Sequence, residues 1–379
     1  MTDVPSESVF QYPEVGVGYF WPFGLMLQAE SWEMDQIKRN LDFLREVEVT
    51  QVERPRPEWS TANREVLRLR VLTLRDFTPD GAPDGPPVLV IPPYAGHTSV
   101  IADFQPGQSL VETLLENGVH RVLSVAWHSA TPDMADLDVD DYLAAVNVCT
   151  DDLCGPVSLV GLCQGGWLAA MFAARYPQKV RSLVLAGSPL DTSAGGGAIE
   201  SYANRLPMGF FEELVSIGGG RLPGRFMLRG FKNMHPEKQY FEKFAELYEH
   251  AEDPSYRRRF EQFERWYEYT LDLPGRWYLQ VISQLFRENR FFQGNFTGLG
   301  RTIGLKDITC PTYLLAGEDD DITPREQVFA ARERLGTPSG RVTQDLVPGG
   351  HIGLFMGRRT LHKSWPPIAR WLVDEGASA

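Results

Sequence analysis

The sequence predicts an α/β protein, a mostly parallel sheet with helices on both faces and an inserted, mainly helical cap. Three observations predict it. Short apolar runs alternate with helix-like segments through residues 61–189. That rhythm breaks over 190–305, where aromatic and charged residues read mostly helical, and it returns over 306–379. Apolar strands alternating with helices are covered on both faces, which is the signature of a parallel sheet.

Residues 1–60 read as an N-terminal helical extension, with one segment, AESWEMDQIKRNLDFLREVE, whose apolar positions recur at helical spacing. EVLRLRVLTLRDF (65–77) has a period of two and reads as a strand. After the turn-rich TPDGAPDGPP, PVLVIPPY (87–94) reads as a short buried strand, and HRVLSVAW (120–127) as another. DVDDYLAAVNVCTDDL (138–153) opens on aspartates suited to a helix N-terminus. VSLVGLC followed by GGWLAAMFAARYP is strand then helix, and VRSLVLAGSP (180–189) is a strand again. Beyond the insertion come TYLLAG, a helix, RVTQDLVPGG and the terminal helix LHKSWPPIARWLVDEG. No internal repeat interrupts this order.

Composition narrows the function. Hydrophobic residues make up 43% and charged residues 23%, ordinary for a globular protein. A formal charge of −13 argues against general affinity for nucleic acid or anionic membrane. The first residues, MTDVPSESVFQ, carry neither a basic stretch nor an apolar one, so no secretory signal is expected. Residues 155–175 are long and uncharged enough to suggest a membrane span, but Gly155, Pro156, Gly161, Gly165, Gly166 and Gln164 interrupt them, so none is expected. Cys149, Cys154, Cys163 and Cys310 form no disulfide framework and no CxxC, so neither a metal site nor a redox cofactor is expected and a reducing cytoplasm fits.

Why should Cys163 sit between Gly161 and Gly165, directly after a run of aliphatic residues? Parallel sheets put their chemistry where strands hand over to helices. G-x-C-x-G there mimics the G-x-S-x-G nucleophile elbow of the α/β-hydrolase fold, whose strained turn needs small neighbours. The helix that follows points its N–H groups at the same spot, which favours thiolate over thiol and leaves the Gln164 N–H to hold an oxyanion. A buried, inert cysteine is the bland alternative.

A thiol nucleophile wants a base and an orienting carboxylate, and in this fold the order is nucleophile, acid, histidine. Of His97, His120, His128, His235, His250, His351 and His362, only His351 follows a terminal strand and a Gly-Gly turn. The acid falls in the run Glu318, Asp319, Asp320, Asp321 after TYLLAG, with Asp320 preferred and Asp321 the alternate. The second oxyanion donor should be a backbone N–H near Tyr94 or Ala95, just after PVLVIPP. His97, Trp127 and Trp167 are expected to line the substrate site.

These residues sit in segments that resemble the polyhydroxyalkanoate synthases and the intracellular polyhydroxyalkanoate depolymerases with a thiol nucleophile. GLCQGG is similar to the synthase box. IPPYAGHTSVIADFQPGQSLVETLLENG resembles the segment with paired prolines and D-x-x-P-x-x-S-L. SVAWHSATPDMADLDVDDYL resembles the tryptophan-containing strand end followed by L-x-x-D-D-Y, and GLKDITCP and VPGGHIG resemble the segments before the acid strand and at the histidine. The resemblance spans residues 85–373. PPYAGHTSV, GSPLD and the Gly-Arg-Arg at 357–359 lean toward the depolymerase branch.

The resemblance implies Cys163 as nucleophile, His351 as general base and Asp320 as its partner. It implies acyl transfer on (R)-3-hydroxyacyl thioesters through an acyl-cysteine, with acyl-CoA or polyester as substrate and no cofactor. A partner synthase subunit, or failing that a homodimer, and a place at the surface of cytoplasmic polyester granules go with it. Hydrolysis of hydroxyalkanoate esters is the alternative reading. A third is a non-catalytic granule protein presenting the aromatics Trp266, Tyr267, Tyr269, Trp277, Tyr278, Phe291 and Phe292, although ordinary helix packing explains these as well. The basic residues Arg221, Arg225, Arg229 and Lys232 read as a solvated face.

Overall fold

The computed structural model describes residues 55–234 and 253–377. The helix expected from AESWEMDQIKRNLDFLREVE lies outside the described residues. By compactness the chain falls into two units, one of residues 1–53 with 226–261 and one of residues 54–225 with 262–379. Helical stretches within Gly224–Met234 and Pro254–Glu268 are what is described of the first. The second contains the sheet and every residue of the site.

Eight strands make that sheet: β1 (Arg64–Arg68), β2 (Leu72–Asp76), β3 (Val88–Ile91), β4 (Val122–Trp127), β5 (Val157–Leu162), β6 (Val180–Ala186), β7 (Thr312–Gly317) and β8 (Val342–Val347). Their spatial order is β1-β2-β4-β3-β5-β6-β7-β8. β2 runs antiparallel to its neighbours β1 and β4, and the pairings from β4 through β8 are all parallel. The middle strands β3, β4, β5 and β7 are buried at every position, as strands covered on both faces must be. Edge strand β1 is mostly exposed and carries Arg64, Glu65 and Arg68, charges that blunt a free edge.

EVLRLRVLTLRDF is two strands rather than one. The chain reverses over Leu69–Val71, where the Leu69 N–H donates to the Leu72 carbonyl at 2.8 Å, and β1 folds back on β2. The apolar alternation at Leu67, Leu69 and Val71 slips by one residue to Leu72 and Leu74, a slip that marks the break although no glycine, proline, asparagine or aspartate does.

Three helices position the site. α1 (Leu110–Glu116) starts at Ser109, whose hydroxyl accepts from the Glu112 N–H. α2 (Val139–Asp152) starts in a reciprocal cap, with Asp138 accepting from Asp140 N–H and Asp141 accepting from Asp138 N–H. α3 (Gln164–Arg175) is buried at every residue from Gln164 to Ala174 and follows β5 with no linker beyond Cys163.

Between β6 and β7 lies the insertion, with helices at Ala198–Arg205, Met208–Ile217 and Gly275–Gln280 and a hairpin pairing Phe296–Gly298 with Arg301–Ile303. The Gly275–Gln280 helix runs on into a π-helical turn, Val281–Arg287. Nothing in the sequence signalled that turn. Its residues 270–277 fasten onto the sheet: Leu271 N–H donates to Gly96 O at 2.8 Å, His97 bridges to Thr270, and Asp272 N–H donates to Ser129 Oγ.

Candidate active site

Cys163 occupies the turn from β5 to α3 with φ 50° and ψ −119°. A side chain in that region is strained, and such strain persists only where the surroundings over-determine it. Here they do. The Cys163 N–H donates to Ala186 O at 2.9 Å, and its carbonyl accepts from the Gly166 N–H at 2.9 Å. Three glycines allow the packing. A Cβ on Gly161 would stand 2.4 Å from Gly166 Cα, one on Gly165 would stand 1.9 Å from Ile91 O, and one on Gly166 would stand 1.7 Å from Ser188 Oγ. The elbow is therefore wedged between β3, β6 and its own helix.

His351 follows β8, and Asp320 follows β7. The His351 Nδ1–H donates to Asp320 Oδ2 at 2.8 Å. Asp320 Oδ1 accepts from the backbone N–H groups of Ile322 and Thr323, at 3.1 and 2.8 Å. Three donors converge on this one buried carboxylate and fix its plane. Asp321 is exposed on the same turn, so the one-residue difference from Asp320 decides which carboxylate meets the imidazole. The ring of His351 also packs edge-on against Phe355, with centroids 5.2 Å apart, and lies close over Gly187.

Burial alone would depress the His351 pKa. Attraction to Cys163 and then to Asp320, with hydrogen bonding to both, outweighs it and holds the imidazole well above the usual histidine range. With Nδ1 given to Asp320, Nε2 is the nitrogen left for Cys163. Burial pushes the thiols of both Cys149 and Cys310 up to about 12. Cys163 is 9% exposed and His351 8%, enough for a small reactant to touch them.

Gln164 begins α3, and its N–H donates to no protein acceptor among the described residues; the same holds for the N–H groups of Tyr94 and Ala95. The Tyr94 hydroxyl donates to His128 O and Asp272 O, at 3.0 and 3.2 Å, which anchors the loop and directs the phenol away from the turn. The Gln164 side-chain oxygen is buried without a partner.

The expected substrate residues part company. Trp127 ends β4, with its Nε1–H on Pro92 O at 2.8 Å and its ring 5.6 Å from that of Tyr94. Trp167 stacks on Trp277 of the insertion at 6.0 Å, and the indole nitrogens of both are buried with no acceptor. His97 packs against the adjacent rings of Trp266 and Tyr267, 5.0 and 5.1 Å away, and Nε2 bonds Tyr267 O at 3.0 Å, so its ring is engaged by the insertion. Sequence reasoning did not single out Tyr142, which packs against Tyr94, Trp127 and Trp277, nor Ser188 beneath Gly166. Both lie in stretches it had marked, DVDDYL and GSPLD.

Among the described residues no three metal-ligating side chains cluster, and no helix is long and apolar enough to cross a membrane.

This strand order, with a residue at the β5 elbow and the acid and histidine after β7 and β8, defines an α/β-hydrolase fold. The crystal structure of Paleococcus ferrophilus monoacylglycerol lipase shares it, with a TM-score of 0.51 at 17% identity over 80% of this chain and 99% of that one. The chain belongs to the family described as "Protein of unknown function (DUF3141)", whose model matches residues 28–333. The resemblance read from the motifs extends over most of the chain. It is 28% identical over 314 residues to the poly(3-hydroxyalkanoate) polymerase subunit PhaC of Allochromatium vinosum, covering 80% of this chain and 86% of that protein. It is also 28% identical over 280 residues to the PhaC subunit of Haloferax mediterranei, covering 72% of this chain but only 56% of that relative.

Proposed function

We propose that the protein is a cysteine-dependent acyltransferase acting on (R)-3-hydroxyacyl thioesters, in the manner of a polyhydroxyalkanoate synthase. The observation that carries this reading is the elbow itself: a positive-φ cysteine facing a histidine that is bonded to a buried aspartate. Cys163, as thiolate, attacks the thioester carbonyl. The N–H of Gln164 and that of Tyr94 or Ala95 hold the oxyanion. The donor's thiolate leaves and takes a proton from His351, giving the acyl-cysteine. A 3-hydroxyl group of the growing chain then yields its proton to His351, attacks the acyl-cysteine and restores the thiolate. Asp320 keeps His351 in the tautomer and orientation both steps require. Similarity to the two PhaC subunits supports the substrate class.

Hydrolysis is the second reading, favoured by PPYAGHTSV, GSPLD and Gly-Arg-Arg: the same acyl-cysteine with water as acceptor. The test supplies purified protein with (R)-3-hydroxybutyryl-CoA, follows thiol release and sizes the acyl product beside Cys163→Ala. Growing polyester supports transfer, free monomer acid supports hydrolysis, and equal turnover by Cys163→Ala overturns both. On the transfer reading the protein acts at the surface of cytoplasmic polyester granules, with a partner subunit or a second copy of itself.

A further inference from the structure

At the carboxyl edge of β4 the protein has a cavity of about 380 Å³ that the reaction above leaves unused. That is the low end of small-ligand pockets. Four arginines line it, Arg56, Arg68, Arg70 and Arg75, together with Trp127 and His128. Such a gathering runs against the molecule's net charge of −13.

Local partners answer only part of this charge. Arg68 forms a two-pronged pair with Glu65, at 2.6 and 2.8 Å, and Arg70 reaches Asp133 Oδ2 at 2.7 Å. Arg75 donates to the neutral Asn63 side chain at 2.7 Å, and its Nε is buried without an acceptor. Arg56 is exposed and forms no ion pair among the described residues. Two guanidinium groups thus lack a carboxylate. His128 adds no charge of its own: burial lowers its pKa, and it donates from Nδ1 to Arg70 O at 3.0 Å while Nε2 meets the Thr73 hydroxyl. That pair of bonds holds the Arg70 backbone at the cavity wall.

We propose that this cleft is a second binding site, one that takes a phosphate-bearing ligand. Planar guanidinium forks match phosphate oxygens two at a time. The cleft also lies near the elbow. Trp127 ends β4 and Cys163 follows β5, with only β3 between, so roughly 10 Å separates them across the sheet at two strand spacings. The Trp127 ring, which lines the cleft, packs against that of Tyr94 at 5.6 Å. The phosphate could therefore belong to the acyl donor, an assignment that rests on the thioester reading, or to a free phosphorylated molecule.

Calorimetry on the full chain with pyrophosphate, in phosphate-free buffer, tests the site without reference to any reaction. Saturable binding is expected, weakened about tenfold or more by Arg56→Ala and about a hundredfold by Arg56→Ala with Arg75→Ala, as losses of charged hydrogen bonds imply. Absence of saturable binding up to roughly 10 mM, an affinity at which no specific phosphate site operates, overturns the proposal. So does binding by both variants within about twofold of the parent. The source follows from the preference for 3-hydroxybutyryl-CoA over its phosphate-free N-acetylcysteamine thioester. Collapse of that preference in the double variant assigns the phosphate to the donor. An unchanged preference, with pyrophosphate binding lost, assigns it to a free ligand. If neither thioester turns over, the thioester reading fails while the pyrophosphate result still stands.

Discussion

Replacing Gly165 by alanine tests whether the elbow's close packing is what makes the site. An added Cβ would stand 1.9 Å from Ile91 O and 2.7 Å from Pro92 O. Both are backbone atoms, so no side chain can swing aside. Merely reaching 3.0 Å requires the two segments to part by about 1.1 Å. Ile91 and Pro92 lead straight into Tyr94 and Ala95, so the displacement passes to the backbone N–H groups proposed to hold the oxyanion. A misplacement of about 1 Å costs on the order of a hundredfold in rate. Overpacking of this kind costs about 1–3 kcal/mol or more, a fall in Tm of about 2–12 °C. Thermal unfolding by circular dichroism reads the second quantity, and kcat/KM for thiol release from (R)-3-hydroxybutyryl-CoA reads the first. A Gly165→Ala protein that keeps both parental values would show that β3 does not press on α3 as described.

Four further outcomes are expected. In Cys163→Ala the His351 pKa, followed by NMR of the ring protons, should fall, because attraction to Cys163 is the largest influence raising it. The sign for stability follows: a histidine raised on folding stabilises fully below its unfolded pKa of about 6.5 and loses that contribution as pH rises through the folded value, so the parent should lose more stability than the variant over that window. Asp320→Asn keeps an oxygen for the Ile322 and Thr323 N–H groups but turns an NH₂ toward Nδ1, and kcat should drop by about 10²–10⁴ with the fold intact by circular dichroism. Iodoacetamide near pH 7 should label Cys163 and the exposed Cys154 while sparing Cys149 and Cys310, as peptide mass spectrometry will read; labelling that reaches Cys310 but not Cys163 would contradict the electrostatics. Trp277→Ala should cost about 3–5 kcal/mol in denaturant unfolding and raise the free-acid share of the product, because its ring lies against Tyr94 and Trp167 on either side of the elbow.

What was legible in the sequence divides along physical lines. VLVI and TYLLAG were readable because a strand buried on both faces has no freedom to be polar. Cys163 and His351 could be singled out because each sits at a strand end marked by glycines, and chain order suggested the roles proposed for them. The turn at Leu69–Val71 was missed because it carries no turn residue, and its one sign is a slip in the alternation at Val71–Leu72. The arginine cleft was not readable either. Arg68, Arg70 and Arg75 fall in the stretch 65–77 that reads as a single strand, and only the fold brings Arg56 and the end of β4 beside them. His97 was legible as a residue near the site, but not as a ring packed on Trp266 and Tyr267, because that contact joins residues 170 apart.

That packing bears on which acceptor the acyl-cysteine meets. Loop 92–97 is held from one side by Gly165 of α3 and from the other by residues 266–277: His97 against two aromatic rings, Gly96 O on the Leu271 N–H, and Tyr94 against Trp277 with its hydroxyl on Asp272 O. The segment that carries the proposed oxyanion donors is therefore fastened by the same contacts that cover the elbow. Loosening the insertion to admit water would also slacken the donors that stabilise the transition state, whereas a polyester chain that fills the cover can leave them in place. On the proposed reading, exclusion of water and stabilisation of the oxyanion are one structural property, and a hydrolase on this scaffold would need a separate path for water that spares residues 270–277.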